Sequence, residues 1–249
     1  MVKRGVKMRK KIHKKKHIKG IIGIEAAIVL IAFVIVAAAL SFVVLNMGMF
    51  TTQKSKEVIG RGLSEASSAL EVDGSVLALI DNDRKVDVIS VPVKLSPGRE
   101  VVDFNVSNVK LLVTVDDSGK SYENILNGIY YLYWNDAVKR YQLINVSDGK
   151  AINLTTSPPD LSEIAKALGR PATTTVAYVV FIRSIDGEQA DTVLEFGEKA
   201  VVIVLLSPND RMDSYDQFTI EIRPIEGAPL TVERTIPPTL TANSAVTLG

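Results

Sequence analysis

Chemistry-bearing side chains are few in this 249-residue chain and unevenly placed. It has no cysteine, and its two histidines, His13 and His17, both fall within the first twenty residues. A chain processed to remove that stretch has neither residue type, which excludes Ser-His-Asp and Cys-His nucleophilic sites and His- or Cys-ligated zinc. Carboxylates remain. Asp81-Asn82-Asp83 with Asp87, Asp116-Asp117, and Asp210 with Asp213 and Asp216 have the oxygen-rich spacing that a hard cation such as Ca2+ accepts. Asp81, Asp83, Asp210 and Asp213 are the calcium candidates, and the same clusters also read as solvated turns of an acidic exported domain. No glycine-rich phosphate loop is present. Three N-x-S/T sequons, at Asn105, Asn145 and Asn153, are acceptors for N-linked sugar if this part of the chain is outside the cell. Two further features lie near the N-terminus: a Lys19-Gly20-Ile21 junction between basic and apolar sequence, and Glu25, a lone acid early in an apolar run.

The elements that position these residues begin with a charge asymmetry. Residues 1–20 contain ten of the 29 Lys and Arg and no acid, which leaves nineteen bases against 28 acids, a net −9, for the rest. A near-neutral whole therefore hides a basic leader on an acidic body. Residues 26–53 carry no charge, and in the twenty residues from Ala26 to Leu45 Ser41 is the only polar side chain. At about 1.5 Å per residue that window spans the hydrocarbon core of a bilayer. Lysines on its N-terminal flank place the N-terminus in the cytoplasm and everything beyond Asn46 outside. The apolar stretch is too long for a conventional secretory signal, and no small-residue cleavage site closes it. Because the basic leader sits directly before a membrane-length helix, it reads as a topology signal rather than a nucleic-acid arm.

Proline is absent until Pro92, so one helix of about fifty residues is allowed from Ile21. Its second half turns amphipathic: Val58 or Ile59, Leu63, Ala66, and Ala69 or Leu70 recur at three-to-four spacing among Lys54, Lys56, Glu57, Arg61 and Glu65. Gly60 and Gly62 are weak points within it, and Asp73-Gly74 is the expected stop. The period then falls to two. Val86–Val91, 101–115, 129–134, 141–146, 176–182, 200–206, 218–222 and 230–236 are β-branched or aromatic runs separated by turn sequences. Seven or eight short strands in this length predict an antiparallel sandwich. A short helix is expected at Leu161–Leu168, started by Pro159-Asp160 and stopped by Gly169. The segment from Thr235 onward is left open between a last strand and a trailing end.

The junction, the apolar helix and its continuation resemble the N-terminus of archaeal flagellins (archaellins), in the type IV pilin superfamily. The resemblance rests on Lys19-Gly20 followed by IIGIEAAIVLIAF and then Leu45-Asn46-Met47-Gly48-Met49-Phe50-Thr51-Thr52-Gln53-Lys54, and covers about residues 14–75. It implies cleavage between Gly20 and Ile21 by a prepilin-peptidase-like membrane protease. The helix is then implied to leave the membrane and pack into the core of a helical surface filament, an archaellum turned by a membrane motor for swimming. The implied partners are further copies of the chain, alone or with other archaellins, the processing enzyme and the membrane assembly and motor machinery. Nucleic acid is not among them, and archaellins are commonly glycosylated.

On this reading Glu25, Ala26, Ala27, Ile28, Ile31 and Phe33 are the assembly residues. The alanines permit close helix approach. The expectation for Glu25 is pairing with the new α-amino group of Ile21, in the same or an adjoining subunit; the alternative is an acid at headgroup depth beside Lys19. An acid as fifth mature residue is typical of type IV pilins generally, so an adhesive archaeal pilin is the nearest rival. An uncleaved, singly spanning surface protein with a ligand-binding sandwich is the second. The expected organisation is a basic leader over 1–20, a long helix over 21–73, and an extracellular immunoglobulin-like β-sandwich over 74–249, an α+β chain with no enzymatic activity and no cofactor other than candidate Ca2+.

Overall fold

A computed structural model describes residues 21–66, 69–98, 101–115, 119–183 and 191–248. The leader, with Gly20 and both histidines, lies outside them, as does Asp116-Asp117. The described chain begins with α1, Ile21–Ala66, 46 residues of unbroken helix about 70 Å long. It ends seven residues short of the expected stop because Ala69 and Leu70 are taken into the core of the following domain. Leu70 opens a strand whose register partner is Leu95. The contact pattern divides the chain into two compact units, 1–59 and 60–249, with the boundary at Gly60.

Among the described residues the β region holds fifteen strands rather than the seven or eight expected. In chain order they are β1 (Leu70–Val72), β2 (Val76–Ile80), β3 (Val86–Leu95), β4 (Val101–Asp103), β5 (Val109–Val115), β6 (Lys120–Glu123), β7 (Leu126–Asn135), β8 (Arg140–Asn145) and β9 (Ala151–Asn153). Helix α2 (Leu161–Leu168) intervenes, followed by β10 (Val176–Arg183), β11 (Val193–Glu195), β12 (Lys199–Leu205), β13 (Gln217–Pro224), β14 (Leu230–Thr235) and β15 (Ala245–Leu248). The run expected as one strand over 101–115 is two, broken at Phe104–Asn108. Beyond residue 235 the chain ends in a true strand, β15, paired with β2.

These strands form a large sheet in the order β15-β2-β3-β12-β10-β7-β8-β9 with β1 added to β3, a four-stranded sheet β14-β13-β5-β6, and the small ribbon β11-β4. Pairing is antiparallel except between β7 and β10, which run parallel. The connection between them carries β8, β9 and α2, long enough for the crossover that parallel neighbours need. The expected α+β class therefore holds, with one parallel pair inside a mostly antiparallel domain.

Alternation along the central strands explains the layering. Ile89, Val91 and Val93 of β3, Ala200, Val202 and Val204 of β12, and Ala177, Val179 and Phe181 of β10 face one core. That core also takes Leu111 and Val113 of β5 and Phe218, Ile220 and Ile222 of β13, so it lies between the two sheets. Phe104 meets Phe181 edge-on there, with ring centroids 6.2 Å apart. The intervening residues, Val88, Tyr178, Val180, Ile203 and Leu205, point to the opposite face, where Ile164, Ala165 and Leu168 of α2 cover them. Both faces of the central strands are thus buried, which is why they read as nearly continuous apolar runs. Helix α2 matches its expected bounds: Asp160 caps it by accepting from the backbone N–H of Glu163 at 2.8 Å, and Gly169 ends it at φ +83°.

Candidate functional site

Along α1, every described side chain from Gly23 to Leu63 is exposed, including Ile28 (61%), Ile31 (56%) and Phe33 (74%). Ile21 opens the helix. Glu25, Ala26, Val29, Leu30 and Phe33 lie along one side of it, at spacings of three and four, and line a single shallow groove. Further along, Val44, Leu45, Gly48 and Met49 line a second groove with Thr52. Two of the few polar residues here meet their needs internally: the hydroxyls of Thr51 and Thr52 donate to the carbonyls of Met47 and Gly48, each at 2.8 Å. That lowers the cost of placing these two hydroxyls in apolar surroundings. Charge resumes with the Lys54–Glu57 ion pair at 2.9 Å. Among the described residues α1 is the one helix long and apolar enough to cross a membrane, and its span from Gly23 to Leu63 has no buried side chain.

The sequons differ in geometry. Asn105 is exposed, and its side-chain oxygen accepts from the backbone N–H of Ser107 at 3.0 Å, closing an Asx turn. Asn145 makes the same turn with Ser147 at 2.8 Å and is half-buried. At Asn153 the side-chain oxygen instead accepts from Gln142 at 2.6 Å, in an amide ladder that continues from Gln142 to Asn135 at 2.9 Å. Its sequon threonine is also engaged, since the Thr155 hydroxyl donates to Glu163. Burial works to raise the Glu163 carboxyl, but hydrogen bonds from the side chains and backbone of Thr155 and Thr156 outweigh it and hold the pKa at about 2.

The calcium candidates are placed among cations and donors rather than around a shared cavity. Asp81 meets Arg211 at 2.7 Å and Arg170 at 3.5 Å, Asp83 lies 3.8 Å from Arg211, and Asp87 lies 2.7 Å from Arg170. Burial pushes the Asp87 carboxyl above its ordinary range, with the Arg170 guanidinium opposing it. Asp213 pairs with Lys85 at 2.8 Å, and Asp216 accepts from the Asp213 backbone. Among the described residues no group of three or more acidic or histidine side chains is placed to hold a metal ion.

Asp210 has the densest set of partners, which sequence reasoning missed. It is buried and accepts from Lys120 at 2.8 Å, Thr175 at 2.9 Å, and the hydroxyls of Ser207 and Tyr122. Lys120 and Tyr122 lie on β6 of the small sheet; Thr175 and Ser207 flank β10 and β12 of the large one. One carboxylate therefore ties the two layers together. Burial raises its pKa, but the four donors overcome this and leave it at about 2, while burial and the neighbouring carboxylate lift the Tyr122 phenol to about 12. In the sequence Asp210 reads as a calcium candidate or a turn acid after Ser207-Pro208-Asn209; apart from Ser207, its partners lie 35 to 90 residues away.

A model of the archaeal-type flagellin family matches residues 20–234. The chain is 48% identical over 231 residues to a probable flagellin 1 of Aeropyrum pernix, covering 93% of this chain and 98% of that protein. It is 31% identical over 232 residues to a probable flagellin 1 of Archaeoglobus fulgidus, covering 90% and 93%. Among solved structures, the fold is similar to that of archaeal flagellin FlaB1 from Methanocaldococcus jannaschii, with a TM-score of 0.52 and 20% identity over 73% of this chain and 97% of that one.

Proposed function

The chain belongs to the archaeal-type flagellin family and is a structural filament subunit; from that premise we propose that α1 is the assembly element and the β domain the outer surface of a homopolymeric swimming filament. The observation that carries the division of labour is the uninterrupted exposure of apolar side chains from Ile24 to Phe50. Each buried leucine-sized side chain contributes about 1.5 to 3 kcal/mol relative to exposure, so such a surface is not left in water. A bilayer covers it first and neighbouring helices cover it later. Because each copy then touches several others, a helix apolar on all sides fits better than an amphipathic one, and Ala26, Ala27, Ala32 and Ala37 to Ala39 permit close approach.

Before assembly, a prepilin-peptidase-like enzyme cuts between Gly20 and Ile21, removing the basic leader that set the topology. Glu25 then pairs with the α-amino group of Ile21, offsetting a cost of up to about 2.5 to 3.5 kcal/mol for an acid in hydrocarbon. If Glu25→Ala subunits enter filaments at the normal rate, that pairing is lost as an explanation. Asn105 and Asn145 are the sugar acceptors, because both present an Asx turn and neither sequon hydroxyl is held by a carboxylate as Thr155 is. Membrane assembly and motor proteins engage the base of the filament.

The reading is tested by N-terminal sequencing of this protein in a filament fraction sheared from its source cells, with electron microscopy of the same fraction. Filamentous material beginning at Ile21 supports it. Protein that stays in membranes with its leader attached returns the chain to a signal-anchored surface protein.

A further inference from the structure

Val101, Phe196 and Ile225 are exposed by 53, 72 and 70%. They lie close together in the fold: Glu195 is the register partner of Val101, Phe196 follows Glu195 in the chain, and Val101 and Ile225 line the same cleft. The surface has a defined place in the fold. Phe196 lies in the turn from β11 into β12, which enters the large sheet with Ala200 opposite Val93, and Leu70 of β1 pairs with Leu95 at that same end. Exposed acids, Glu195 and Glu226, stand at its rim.

The amphipathic part of α1 is the complementary surface. Val58, Ile59 and Leu63 are exposed by 58, 69 and 72%, and residues 54–63 carry Lys54, Lys56 and Arg61 against the single acid Glu57. Both sets of side chains are exposed among the described residues, and both belong to a subunit that polymerises. We infer that in the filament the Phe196 face of one copy seats on the Ile59–Leu63 strip of a second copy. Apolar surface meets apolar surface, and the acidic rim meets a basic flank, which favours this pairing over face against face or strip against strip. Two different patches in contact make a head-to-tail interface, the kind that propagates into an open filament instead of closing as a dimer. It also carries the helix contact past Lys54, where charge resumes. This contact rests on the filament reading above.

The absence of native cysteine makes the test clean. Chains carrying both Ile59→Cys and Phe196→Cys are produced in the source cells, and their filaments are sheared, oxidised and run on a denaturing gel without reductant. A ladder of dimers and higher multimers is expected from the double variant and only monomer from either single variant. Monomer alone from double-variant filaments overturns the contact, as does a dimer from a single variant, which would mean like against like. If the double variant does not assemble, Phe196→Asp decides: at least a tenfold loss of filament with a protease-resistant β domain is expected. Normal filament yield from Phe196→Asp overturns the proposal. Tyr215→Asp is the control, an exposed aromatic near Met212, which bridges Val86 at the opposite end of the sheet, and it leaves yield unchanged. Wild-type filaments with no ladder from the double variant defeat this contact only; absence of filaments from wild-type cells defeats the filament reading itself.

Discussion

From Gly23 to Leu63 not one described side chain is buried, while forty residues further on Phe104, Leu111 and Val113 have no exposed surface at all. The two regions use their apolar side chains in opposite ways. The β domain turns its apolar residues inward on a period of two, so that each sheet covers the other and α2 covers the back. The helix presents the same residue types outward on every side, and a single helix has nothing of its own to cover them with. The difference teaches where stability comes from. One region is self-sufficient, with no disulfide, through its core and the Asp210 clasp. The other reaches its stable state only against lipid or another copy.

Substitutions that swap these properties give the sharpest contrasts. Val36→Asp puts a charge in the middle of the apolar helix, at about 2.5 to 3.5 kcal/mol per copy and repeated at every contact. Loss of filaments and of membrane retention is expected, read by fractionation and microscopy, with the β domain still resistant to protease. Phe104→Ala does the reverse. Removing a fully buried ring costs about 3 to 5 kcal/mol, and the β domain should lose stability by that much in denaturant titration while the helix still inserts.

Asp210→Asn is milder. It weakens hydrogen bonds to a charged acceptor, each contributing about 1.5 to 3 kcal/mol, and lowers the melting temperature of the β domain by about 5 °C or more. The same residue gives a pH dependence with a definite sign. Its folded pKa of about 2 lies below the ordinary carboxylate value, so its contribution is fully present above about pH 4 and is lost as pH falls toward 2. Glu163, also held at about 2, adds to the same acid limb. Acid titration of Asp210→Asn should show a shallower loss over that window than wild type. The smallest effect is Gly60→Ala. Nothing lies within 4 Å of an added Cβ there, so the helix should gain about 1 kcal/mol, visible as helicity in detergent, with the β domain unchanged.

The regions also differed in how much of them the sequence disclosed. The uncharged run after Glu25 allowed one reading, a long apolar helix, because charge and proline are both absent over a length no ordinary strand reaches. Helix α2 was legible for a local reason as well, with Asp160 and Gly169 supplying both ends. In the β region the central strands showed through because both their faces are buried. The short strands did not: Lys120–Glu123, Ala151–Asn153 and Val193–Glu195 are edge or ribbon strands held by pairing to distant partners, with little hydrophobic pattern of their own. The end of α1 was misplaced because tertiary packing of Ala69 and Leu70 overrode a helical period that runs on to Leu70. The acids were visible as clusters, but whether each faces an arginine, a hydroxyl or solvent depends on Arg170, Arg211 and Lys120, far away in the chain.

The proposed assembly covers the apolar helix in the filament and leaves the β surface open. Single cysteines introduced at Val36→Cys and Ser121→Cys, in a chain that has no other, allow a direct test by thiol labelling of intact filaments with a membrane-impermeant maleimide. Ser121→Cys is expected to label fully in the filament, whereas Val36→Cys stays unlabelled until the filament is dissociated in detergent. Equal labelling of both positions in intact filaments would contradict it.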